Sequence, residues 1–83
     1  MTVRELKARL SQILSAEEEA DIDWSRVHRL SAALLDEVDQ DAPEPCSLDL
    51  VRDYLGAVER RRQDAVFAHA QRSELAQYLR GSA

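Results

Sequence analysis

The chain reads as all-α, a small three- or four-helix bundle whose C-terminal helix either bends back or extends the third. Three observations predict this. Both prolines, Pro43 and Pro45, fall in one short segment, and the only glycines are Gly56 and Gly81. Elsewhere leucine, valine and alanine recur at three- and four-residue spacing, the period of a helix with one buried face. Proline lacks a backbone donor and clashes with the preceding turn, so residues 42–46 form an elbow between two helical halves, 1–41 and 47–80. Residues 1–83 make a single helical domain.

The first helix is expected near residues 3–16. Thr2 and Glu5 have the spacing of a capping box, in which each side chain satisfies the other's backbone donor. Val3, Leu6, Leu10, Ile13 and Leu14 form its apolar stripe, with Arg4, Lys7, Arg9 and Gln12 outside. The second helix, 24–40, starts after Asp23, whose carboxylate can cap the next turn. Trp24, Val27, Leu30, Leu34, Leu35 and Val38 face its core, and Trp24 anchors a helix junction. The third, 47–62, starts at Ser47 as N-cap and buries Leu48, Val51, Tyr54, Leu55 and Val58.

Nothing but Gly56 interrupts a helical reading from Leu48 to Arg80. A single helix of that length would be about 50 Å long, against a diameter of about 30 Å for a compact domain of this size. The phase set by Val51, Leu55 and Val58 continues through Arg62, Ala65, His69 and Arg72, a poor core face. A new phase through Asp64, Phe67, Ala68, Gln71, Leu75 and Tyr78 takes over. We therefore expect a break between Gly56 and Asp64 and a fourth helix over 64–80. If there is no break, a second chain must cover Phe67, Leu75 and Tyr78.

Eighty-three residues support only a thin core, burying ~60–65% of the unfolded surface. This leaves little room for a substrate cavity. One cysteine, Cys46, excludes an intrachain disulfide. The charged N-terminal segment lacks a signal-peptide core, and no apolar run is long enough to cross a membrane, so a cytoplasmic protein is expected. Arginine outnumbers lysine ten to one, which fits a GC-rich bacterial genome. Acid and base are unevenly placed. Residues 1–45 hold eleven acids against five bases, and residues 46–83 hold six arginines against five acids. The acids concentrate in Glu17–Asp23 and Asp36–Glu44, at either end of the second helix.

No constellation for catalysis is present. Cys46 has no adjacent base, His28 and His69 are too far apart for short metal-ligand spacing, and no glycine-rich phosphate loop occurs. Asp36–Asp41 lacks the glycine and glutamate of a calcium loop. No enzyme activity, metal, cofactor or small-molecule substrate is therefore expected. Arg60, Arg61 and Arg62 spread over about 200° of helix surface rather than forming one basic stripe. The leading expectation is a protein–protein interaction or regulatory module, with another protein or a second copy as partner. The contact would run through a C-terminal stripe of Phe67, Leu75, Tyr78 and Leu79, or through the acidic patch of Asp36, Glu37, Asp39 and Asp41. The alternative is a nucleic-acid-linked factor. It would touch phosphates through Arg60, Arg61, Arg62 and Arg72, or use its acidic half to imitate nucleic acid.

Overall fold

The computed structural model describes residues 1–43 and 47–81. It contains five helices and, among the described residues, no strand: α1 (Val3–Glu17), α2 (Trp24–Gln40), α3 (Leu48–Gly56), α4 (Val58–Gln63) and α5 (Ala65–Arg80). The all-α reading is therefore correct. α2 packs on α1, α3 and α4, while α5 lies against α1, α3 and α4. Leu6, Leu10 and Ile13 from α1 meet Val27, Leu34 and Val38 from α2, and Val51, Tyr54, Leu55, Val58 and Leu75 close the core. Removing each such aliphatic side chain from water contributes roughly 1.5–3 kcal/mol. Val3, Leu14, Trp24, Leu30 and Leu35 are only half-buried.

The local signals account for most helix starts. Thr2 Oγ1 accepts from the Glu5 amide at 3.1 Å, and the hydroxyl faces the Glu5 carboxylate at 3.3 Å. Asp23 Oδ1 accepts from the Arg26 amide at 3.1 Å. Asp64 does the same for α5, accepting from the Phe67 amide at 3.0 Å. Each satisfies one of the donors that a helix start leaves unpaired. Ser47 occupies the N-cap of α3 but makes no side-chain capping bond.

The helix expected over 47–62 is two helices, so the C-terminal half breaks twice, at Ala57 and at Asp64. After Gly56, a poor helix former, the Ala57 amide turns back to the Tyr54 carbonyl at 3.4 Å, a tighter loop than the α-helical one. Asp64 adopts extended backbone and caps the next helix. The breaks keep the molecule within 32 × 24 × 18 Å with a radius of gyration of 12.0 Å. α5, at about 24 Å for its sixteen residues, fits inside that length, so no second chain is needed to cover it. Pro43 is buried just beyond α2. The rest of the elbow, Glu44, Pro45 and Cys46, lies outside the described residues, and with it the expectation that Cys46 is neither nucleophile nor ligand.

Candidate functional site

α1 carries its apolar stripe one step further than the hydrophobic residues do. Leu6, Leu10 and Ile13 are followed at the same register by Glu17, which is only 2% exposed. Arg61 of α4, also 2% exposed, meets it. Its Nε donates to Glu17 Oε1 at 2.8 Å and its Nη2 to Oε2 at 3.0 Å, a forked carboxylate–guanidinium pair. Tyr54 completes the arrangement from α3, its hydroxyl donating to Glu17 Oε2 at 2.9 Å. Arg72 of α5 donates to Oε1 at 3.2 Å. Arg61 Nη1 donates to Gln71 Oε1 at 2.7 Å and to the Tyr54 carbonyl, the acceptor shared with Ala57 at the end of α3. The guanidinium also stacks 3.7 Å from the Tyr54 ring centre.

Taking two ions out of water costs several kcal/mol each, so such a pair survives only when further hydrogen bonds satisfy its remaining donors and acceptors. Here Glu17 accepts four hydrogen bonds, and Arg61 donates through all three guanidinium nitrogens, with four of its five N–H groups. Burial, reinforced by the Glu17 charge, pushes the Tyr54 phenol well above its ordinary value, so it stays a donor. A cluster with saturated acceptors and a locked phenol has no free base or nucleophile to offer. Its role is to tie α1, α3, α4 and α5 together.

Of the four arginines expected to touch phosphates, this placement withdraws Arg61 and leaves Arg60 and Arg62 exposed. Arg61 is internal and out of a partner's reach. Arg72 is held by Glu17, with its side chain 24% exposed. Arg60 stacks over the Phe67 ring at 3.9 Å, and Arg62 lies 3.5 Å from Glu59. The apolar stripe is only partly exposed. Leu75 is fully buried, which removes it as an interface residue. Phe67, Tyr78 and Leu79 are half-buried; Tyr78 and Leu79 pack on the core, and Lys7 sits 4.9 Å from the Tyr78 ring centre.

The two acidic clusters differ. Around Asp36–Asp41 the carboxylates find partners: Glu37 pairs with Arg9 of α1, Asp39 with Arg52 of α3 at 2.8 Å, Asp41 with the Met1 amino group at 2.8 Å, and Asp36 accepts from Gln40 at 3.2 Å. The hydrogen bond to Asp41 raises the amino group's pKa and lowers that of Asp41. Glu37 and Asp39 thereby stitch α2 to α1 and α3. At the α1–α2 corner, by contrast, Glu17 turns inward, while Glu18, Glu19 and Asp21 are exposed and make no ion pair among the described residues. Sequence reasoning placed the electrostatic candidates on the paired cluster. The signal for the other assignment was the register of Glu17, which separates it from its neighbours.

Shallow clefts score the surface. One, of about 220 Å³, lies between α1 and α5 and is lined by Leu14, Glu18, His69, Arg72, Ser73 and Ala76. A second, of about 180 Å³, lies between one face of α2 (His28, Ser31, Ala32, Leu35) and the α3–α4 corner (Leu55, Gly56, Val58, Glu59). On its rim His28 Nε2 and Glu59 Oε1 are 2.7 Å apart, and this hydrogen bond holds the Glu59 carboxyl below its ordinary value. Among the described residues no group of three or more metal-ligating side chains converges, and no helix is long and apolar enough to cross a membrane. No protein-family model matches the chain, and neither a curated protein nor a solved structure is measurably similar to it.

Proposed function

We propose that this chain is a small cytoplasmic helical module that works by binding another protein, without catalysis, and that its partner is basic. The observation behind this reading is the corner formed by Glu18, Glu19 and Asp21, three exposed carboxylates without an internal cation. Glu18 and Glu19 sit at the C-terminal end of α1, where the helix dipole already disfavours negative charge by ~0.3–1 kcal/mol per group at low salt. Clustered like charge is tolerated at such a place without benefit to the fold, whereas an incoming basic surface relieves the repulsion and is steered by it. The rest of the α2 surface contributes less, since Glu37 and Asp39 are already paired with Arg9 and Arg52.

Affinity capture from nuclease-treated lysate tests this. The wild-type chain should retain a stoichiometric basic protein at low salt. The variant Glu18→Gln/Glu19→Gln/Asp21→Asn should lose it, and so should the wild type as salt is raised. Equal capture by the triple variant, or recovery of the chain alone, would contradict the reading.

A further inference from the structure

We infer that α4 is a strap that opens by itself while the other four helices stay packed, with Arg61 as its latch. The inference is independent of the binding reading above. α4 has six residues, Val58–Gln63, and an isolated helix shorter than about 12 residues is marginal in water. It must be held from outside, and only two of its side chains, Val58 and Arg61, are buried. Glu59, Arg60, Arg62 and Gln63 are exposed. The ties that Glu59 makes to His28 and Arg60 to the Phe67 ring lie at the surface, where such contacts contribute little. Both ends of α4 are interruptions. Ala57 carries the turn bond of 3.4 Å, and Asp64 is extended.

The other helices keep their hold on one another when α4 leaves, through buried side chains such as Leu10, Leu34, Val51 and Leu75. The polar cluster can also release Arg61 without stranding its partner. One carboxylate, Glu17, faces two guanidinium groups, those of Arg61 and Arg72. When Arg61 withdraws, Glu17 keeps the Arg72 hydrogen bond at 3.2 Å and the Tyr54 hydroxyl at 2.9 Å. A buried carboxylate left with no cation would oppose that step strongly. Here the second cation belongs to α5 and stays behind. Chain length sets no obstacle, since the six residues rise about 9 Å as a helix and reach about 20 Å when extended. Opening brings Glu17 and the Tyr54 phenol, both sealed in the closed molecule, into contact with water.

Amide hydrogen exchange of the full chain, read by NMR at several urea concentrations below the unfolding transition, tests this. The reporters are the Arg61 and Asp64 amides, bonded to the Ala57 and Arg60 carbonyls at 3.0 and 2.9 Å. They should be protected, yet exchange about tenfold or more faster than the Leu10 and Leu34 amides and respond less steeply to urea. Two mild variants separate a strap from unfolding of the whole. Val38→Ala weakens packing near the C-terminal end of α2, away from the His28–Glu59 contact, and that packing persists in the open state. It should speed the Leu10 and Leu34 amides and leave Arg61 and Asp64 unchanged. Glu59→Gln, an exposed substitution, removes a tie present only in the closed state and should speed Arg61 and Asp64 roughly two- to fivefold. Arg61 and Asp64 amides that match Leu34 in rate and urea dependence, or that speed up equally in Val38→Ala, would overturn the strap. Unprotected Arg61 and Asp64 amides would overturn the latch.

Discussion

Replacing Glu17 by glutamine keeps the shape of the side chain and removes its charge. Four donors converge on its two oxygens: Arg61 Nε and Arg72 Nη1 on Oε1, Arg61 Nη2 and the Tyr54 hydroxyl on Oε2. A glutamine has one oxygen and one amide nitrogen, so whichever way it lies, two donors face another donor. Each hydrogen bond to a charged group is worth about 1.5–3 kcal/mol net, so losing two costs ~3–6 kcal/mol. Breaking one side of a buried pair costs ~3–5 kcal/mol by the independent route of leaving the opposite charge unmatched. A chain of 83 residues has a total stability of about 4–12 kcal/mol. Urea unfolding followed by circular dichroism should therefore show Glu17→Gln losing a quarter or more of the wild-type stability. Joining Glu17→Met to Arg61→Met removes both ions, and the double variant should be less destabilised than the sum of the singles by about 1–3 kcal/mol. Recovery would be incomplete, because the Tyr54 hydroxyl, Gln71 and Arg72 each lose a partner. A Glu17→Gln protein within about 1 kcal/mol of wild type, or strictly additive single variants, would refute the inward pairing.

Leu34, fully buried on α2, should cost about 2–5 kcal/mol when changed to alanine, read as a fall in the urea midpoint. Tyr54→Phe strips one donor from Glu17 while keeping the ring beneath Arg61, and should cost ~1–3 kcal/mol in the same assay. Gly56→Ala should be tolerated and raise stability by about 0.4–1 kcal/mol, since the site has space for a Cβ; a fall would mean that the α3–α4 break needs glycine. Glu59 carries the pH dependence. Its folded pKa lies below the ordinary 4.5, principally through the His28 hydrogen bond. The stability it contributes is therefore complete above the unfolded value and disappears as pH falls through the folded one. Carboxyl-carbon NMR titration should place Glu59 below 4.5 and move it back up in His28→Ala; an identical titration in both proteins would count against the pair.

Much of the fold was legible in the residues. Thr2, Asp23 and Asp64 each stand where a helix begins, and the change of phase after the arginine run locates the last helix correctly. Pro43 lies just past the end of α2, as a residue that cannot continue a helix should. The buried cluster was harder to see, for two physical reasons. Extending the phase of Val51, Leu55 and Val58 along one unbroken helix puts Arg62 on the core line, but the turn at Ala57 rotates α4 so that Arg61 takes that place. Glu17 has the same chemistry as Glu18 and Glu19, and only its position four residues after Ile13 sets it apart. Charge counting treats all three as surface. Burial of the pair needs both segments at once, and neither declares the other. The split of the acids follows from the same limit. Asp39 and Arg52 belong to different helices, and their pairing at 2.8 Å is created by the packing of α3 on α2.

The most direct measurement of the central claim, that Arg61 is an internal strut and its two neighbours are surface residues, is side-chain NMR of the arginine Nε–H groups with solvent-exchange rates. Arg61 Nε–H, bonded to Glu17 Oε1 at 2.8 Å with both side chains fully buried, should give a sharp, slowly exchanging signal. That signal should move in Glu17→Gln, whereas Arg60 and Arg62 should exchange rapidly with water. Three arginines that exchange alike would contradict the account. They would mean that α4 turns its charges outward and that the Glu17 pocket is closed by something else.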